Sequence, residues 1–141
     1  MIEIHERYYN PPAINPNYVR SGRDEVLLFP EISSCVSVTL VWTGAHDVMV
    51  GAHLGIGTPA GLIGLPDIAQ AQNDINARRA AAGMGGVAPR QALLIGEIDT
   101  WQTSVPLAYN ALIAWLAGLG CTGGWVPGTD IREIGEGGDG H

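Results

Sequence analysis

Positive charge is scarce in this chain. Seven Lys and Arg stand against 14 Asp and Glu, giving a formal net charge of −7. The seven form no cluster. A phosphate-binding or anionic-membrane surface needs the opposite balance, so neither nucleic acid nor membrane is expected as a partner. Cysteine is scarce as well, with only Cys35 and Cys121. Two cysteines cannot build a disulfide framework, and a chain of 141 residues can bury a core without one. A single bridge between them stays open, and forming it would abolish any chemistry by Cys35. The two cysteines and four histidines show no CxxC or HxxxH spacing, so no metal site is expected. Residues Met1 to Arg7 contain no apolar core of a secretory signal. The most apolar stretch, Val105 to Gly120, is too short to span a bilayer. The chain is expected to be made as a soluble cytoplasmic protein, with signal-independent secretion left open.

Hydrophobic residues make up 46% of the chain and charged residues 15%, the balance of a globular protein with one core. Residues 1–22 read as an arm, rich in Tyr, Pro and Asn, that packs either on its own domain or on a partner or second copy. Val26 to Phe29 reads as a buried strand closed by Pro30. From Cys35 to Trp42 the pattern alternates: Val36, Val38, Leu40 and Trp42 face a core, and Cys35, Ser37, Thr39 and Val41 face the other way. Val48, Val50, Ala52 and Leu54 continue the core face on the next strand. Gly55 to Gly64 is a Gly-rich loop without the Lys-Ser/Thr of a phosphate loop, so a substrate-binding loop or lid is the better reading. Pro66 to Ala82 reads as a helix, Gln91 to Ile98 as a strand, and Ser104 to Gly120 as a second helix capped by Ser104. A short strand is expected around Thr129 to Ile134, followed by a disordered tail over 135–141. The fold class is therefore a layered α/β sandwich with a mixed sheet and two main helices. One domain spans 23–134.

The chemistry concentrates where the two central strands meet. If Thr43, Gly44 and Ala45 form a three-residue loop, Trp42 lies opposite His46 and Cys35 lies opposite His53. Both side chains then share one face, with Cβ atoms roughly 4.5–5.5 Å apart. A thiol beside an imidazole is the minimum apparatus for cysteine nucleophilic catalysis. A shift of one residue would put His53 on the other face. The bland alternative is a buried cysteine acting as a small hydrophobe.

This order of elements resembles the CheD family of glutamine deamidases and, more distantly, the catalytic domain of cytotoxic necrotizing factor. Ser34-Cys35-Val36-Ser37-Val38 is similar to the Gly-Ser-Cys-Val-x-Val segment that carries the family nucleophile. Gly51-Ala52-His53 falls where the family places its Gly-x-x-His base. The resemblance spans about residues 25 to 134 and departs at two points. Ser33 stands where the family has glycine before Ser-Cys. Phe29 stands where it often has a threonine as third catalytic member. The group orienting His53 would then be a backbone carbonyl, Thr39 or Ser37.

The resemblance implies a bacterial, effector-like hydrolase with Cys35 as nucleophile and His53 as general base. The backbone N–H groups of Ser34 and Cys35 would hold the oxyanion, and Gly55, Gly57 and Trp101 would form the substrate cleft. The substrate would be a protein presenting a glutamine side chain, and no cofactor would be needed. Deamidation, transglutamination and ester hydrolysis share the same thioester and stay open. The competing expectation is a non-enzymatic binding or assembly protein on the same scaffold. A catalytic Cys35 is expected to show a depressed pKa, and a packed thiol is not.

Overall fold

Seven residues of strict alternation, Val36 to Trp42, form the central strand of the molecule. The computed structural model describes residues 1–8 and 13–134, and the backbone of 138–140. Along the chain run β1 (Ile2–Glu3), β2 (Val19–Arg23), β3 (Leu27–Ile32), β4 (Val36–Trp42) and β5 (Val48–Leu54). A small hairpin, β6 (Gly57–Thr58) and β7 (Gly61–Leu62), leads to α1 (Leu65–Ala81). Then come β8 (Gln91–Gly96), α2 (Ile98–Ser104), α3 (Pro106–Ala117), α4 (Pro127–Asp130), β9 (Ile131–Glu133) and β10 (Gly138–Gly140). The fold is mixed α/β, with a five-stranded main sheet and four helices among the described residues.

Its main sheet has the order β2-β5-β4-β8-β9. The β8–β9 pair is parallel and the others are antiparallel. A second sheet, β1-β3-β10, covers part of one face. The opposite face carries Val36, Val38, Leu40, Val50, Ala52 and Leu54. They pack in one apolar cluster with Ile68, Ala71 and Ile75 of α1 and Leu112 and Leu116 of α3. The expected core face is therefore the observed one. The other face carries Cys35 in a separate cluster with Ile4, Leu27, Phe29 and Ile32.

Several boundaries differ from the sequence reading, each for a local reason. The described residues of 1–22 are woven into the chain's own body, so no separate arm is set off at residue 22: β1 pairs with β3, β2 pairs with β5, and Ile4, Arg7 and Tyr18 are buried. Of the expected tail, 135–137 and 141 lie outside the described residues, whereas 138–140 pair with β3. Pro30 does not close β3, because it falls where the register with β10 shifts and no ladder donor is needed. The helix expected from Ser104 is two helices. Pro106 bars its predecessor from the helical region, and Val105 breaks the run at φ −137°, ψ 58°. Ser104 is thus the last residue of α2 rather than a cap. Helix α1 follows its signals closely, with Pro66 in the first turn and the Asp67 carboxylate accepting the Gly64 N–H at 2.9 Å. Among the described residues, no helix is long and apolar enough to cross a membrane.

Candidate active site

Cys35 is fixed from the backbone outwards. Its carbonyl accepts the Glu97 N–H at 3.0 Å, and the Ser34 carbonyl accepts the Trp101 indole N–H at 3.0 Å. The end of β8 approaches so closely that a Cβ on Gly96 would lie 2.3 Å from the Cys35 carbonyl oxygen. Only glycine permits that contact. His53 is fixed in the same way from β5. Its N–H donates to the Tyr18 carbonyl, and its carbonyl accepts the Arg7 N–H, both at 3.0 Å.

The connection between β4 and β5 spans residues 43–47, so Trp42 lies opposite Val48 and His53 lies opposite Ser37, not Cys35. The register is shifted by two residues from the expected one. An even shift keeps each side chain on its face. Cys35 and His53 therefore share the face but are diagonal neighbours, a spacing of roughly 7–8 Å in such ladders.

A third group joins them. The Glu6 carboxylate accepts the Cys35 thiol at 3.0 Å. Glu6 and His53 also line one small cavity of about 180 Å³ with His5, Pro30 and Glu31. A larger groove, about 510 Å³ between residues 14–19 and α1, lies elsewhere and is lined by none of these groups. Cys35 and His53 are only 2% and 1% exposed. The covering strands bury the Cys35 and His53 end of this face, while Ser37, Thr39 and Val41 line a cavity of about 200 Å³ beside Phe29.

Proton positions follow from the partners. His53 Nδ1 lies 2.7 Å from the Ile4 carbonyl, which can only accept, so Nδ1 carries the hydrogen. The lone pair is then on Nε2, which is buried and has no hydrogen-bond partner among the described residues. Burial lowers the His53 pKa, against the opposing pull of the Ile4 carbonyl and the Glu6 charge, and the ring is neutral. Burial first, then the Glu6 hydrogen bond and charge, push the Cys35 thiol up to about 12. This is the reverse of the depressed pKa expected for an activated nucleophile. The resting pair is a thiol and a neutral imidazole.

The other expected site residues divide. Ser37 donates its Oγ–H to the Ile95 carbonyl at 3.0 Å, and Thr39 pairs with Gly51, so neither orients His53. The Ile4 carbonyl does. Phe29, where the resembled family often has threonine, makes a T-shaped ring contact with His53, with centroids 5.8 Å apart and planes at 81°. Gly55 lies beneath the Glu6 carboxylate. Gly57 is exposed on the hairpin. Trp101 is fully buried in the helix-side core and lines no cleft, because its indole is spent on the Ser34 carbonyl. Cys35 and Cys121 are both free.

Glu6 and the Ile4 carbonyl were invisible to the sequence reading, which took their segment for an arm. The one available signal was the apolar alternation of Ile2 and Ile4 around Glu3. Among the described residues, no group of three or more His, Cys, Asp or Glu is placed to hold a metal ion. Compared with family models, curated proteins and solved structures, the chain matches none.

Proposed function

We propose that the protein is a cysteine-dependent amidohydrolase of the CheD-like type that deamidates glutamine side chains of a protein substrate. One observation carries the reading: a buried imidazole, tied at Nδ1 to the Ile4 carbonyl, keeps an unpartnered Nε2 on the face that carries Cys35. A buried polar atom without a partner is costly, and a general base awaiting a proton is a recognised reason for one. In this reading His53 Nε2 takes the thiol proton as Sγ attacks the carboxamide carbon. The N–H groups of Ser34 and Cys35 hold the oxyanion, each donor contributing typically about 3–4 kcal/mol. The imidazolium then protonates the leaving ammonia, and water hydrolyses the thioester to leave glutamate.

The second reading, a non-enzymatic binding or assembly protein, draws on the raised pKa of Cys35. A tryptic peptide mixture separates the two. Incubated with wild type, Cys35→Ser and His53→Ala, it is read for glutamine-to-glutamate conversion by mass spectrometry. The expected result is conversion by wild type and none by either variant. Conversion by no protein, or equally by Cys35→Ser, would overturn the deamidase reading in favour of the binding protein.

A further inference from the structure

Glu6 has no role in the mechanism just described, yet it holds the most sensitive place in the molecule. Its Oε2 accepts the Cys35 thiol at 3.0 Å, which puts the carboxyl group of this side chain against the nucleophile. The room for it is made by Gly55. A Cβ there would lie 2.6 Å from Oε2 and 3.5 Å from the carboxylate carbon, and 3.9 Å from Sγ. The lone pair of His53 belongs to the same centre. The backbone around Glu6 is held firmly. Ile4 N–H donates to the Leu28 carbonyl at 2.8 Å, Arg7 N–H to the His53 carbonyl at 3.0 Å, and the Arg7 guanidinium to Asp67 at 3.0 Å. Thiol, base and a cradle without a side chain therefore converge on one carboxylate, presented from a fixed backbone.

We infer that Glu6 occupies the acyl subsite of the Cys35 centre, so that this subsite takes the side chain of a glutamine and Glu6 is its built-in occupant. The inference rests on the deamidase reading. Glutamate is what glutamine hydrolysis leaves behind, and a carboxylate is inert to the thiol, so Glu6 sits as a product would. A substrate carboxamide must displace it. The other ionisable groups lining the small cavity with Glu6 are His53 from β5, His5 and Glu31. The length of the occupant sets a preference: a glutamine side chain spans the subsite, and asparagine falls one methylene short.

A single exchange turns the occupant into a substrate. In Glu6→Gln, Sγ attacks the carboxamide carbon of the introduced glutamine as the thiol proton passes to His53 Nε2. The C–N bond breaks, and the nitrogen takes the proton and leaves as ammonia. Water then adds to the thioester, the C–S bond breaks, and glutamate and free thiol are restored. The net change is amide plus water to acid plus ammonia.

The experiment follows Glu6→Gln by peptide mapping over time, in a Cys121→Ser background. The expected result is conversion of the introduced glutamine back to glutamate at a rate independent of protein concentration, abolished by adding Cys35→Ser. In Glu6→Asn the new amide is expected to stay intact. If the introduced glutamine persists while wild type converts peptide glutamines, the subsite assignment is overturned and the deamidase reading stands. If neither converts, both fall. Should Glu6→Gln fail to fold, iodoacetamide labelling of Cys35 in Glu6→Ala decides. Labelling faster than wild type at the same pH supports the assignment, and an unchanged rate overturns it.

Discussion

The two faces of the main sheet are built on opposite terms. The helix-covered face holds side chains such as Leu40, Leu54, Leu94, Leu112 and Leu116, all 0% exposed and all apolar. The face covered by the small sheet buries Ser37 and His53 as completely as the first buries leucine, beside Cys35. On the first, burial removes apolar surface from water and every contact stabilises. On the second, burial costs free energy wherever a polar atom goes unpaired, as at His53 Nε2. The unpartnered Nε2 beside Cys35 is the observation on which the proposed site rests. Stability comes mainly from the first side, and the proposed chemistry lies on the second.

The difference can be broken most forcefully from the helix side. Leu112→Ala or Leu94→Ala is expected to cost about 2–5 kcal/mol in urea unfolding, by lost transfer energy and a cavity, while native-state labelling of Cys35 stays slow. On the strand side, Gly51→Ala sharpens the contrast. A Cβ there would lie 2.7 Å from Phe29, 2.8 Å from Leu27 and 3.0 Å from Ile4. Overpacking of that kind typically costs about 1–3 kcal/mol. Here it also pushes the covering layer away, so the expected outcome is faster labelling of Cys35 as well as lower stability.

The pH dependence of stability follows from the same face. His53 has a folded pKa below its ordinary value of 6.5, so above that pH both states are neutral and nothing is lost. Below it the unfolded chain takes up the proton first, and stability falls as pH drops. Cys35 acts at the other end. Its folded pKa, about 12, exceeds the ordinary 9.0, so the unfolded chain loses the proton first and stability falls as pH rises above 9.0. Unfolding midpoints measured across pH are expected to decline at both ends, with His53→Gln flattening the acid side alone. The smallest effect is expected at Ser37→Ala, which removes the hydroxyl donated to the Ile95 carbonyl. Loss of one such bond is worth roughly 0.5–1.5 kcal/mol in thermal or urea unfolding.

The apolar face was legible because period-two alternation survives any even change of register. Val36, Val38 and Leu40 had to share a face with Val50, Ala52 and Leu54 whatever the loop between them. By the same parity Cys35 and His53 could be put on one face although their pairing was misjudged by two residues. The loop length, 43–47, was hidden because Val48 rather than His46 begins the ladder. The second sheet was not legible. Its strand β1 has only two residues and its partners lie far along the chain, so no local pattern announces that residues 1–8 close the site. Glu6 and the Ile4 carbonyl went unseen with it. Trp101 failed as a cleft residue because a tryptophan beside a loop looks the same in sequence whether it faces solvent or donates inwards to Ser34.

In the proposed centre Cys35, His53 and Glu6 act together: Glu6 and burial hold the thiol protonated, and His53 stands ready as base. Iodoacetamide labelling of Cys35 against pH tests this most directly, read by intact mass in a Cys121→Ser background. It compares the otherwise wild-type protein, Glu6→Ala, and Glu6→Ala with His53→Ala. The expected result is slow labelling of the first up to and beyond pH 9, faster labelling of Glu6→Ala at every pH below that, and loss of the gain in the double variant. Rapid labelling of the protein with Glu6 intact near neutral pH, or three superimposable profiles, would contradict the proposed centre.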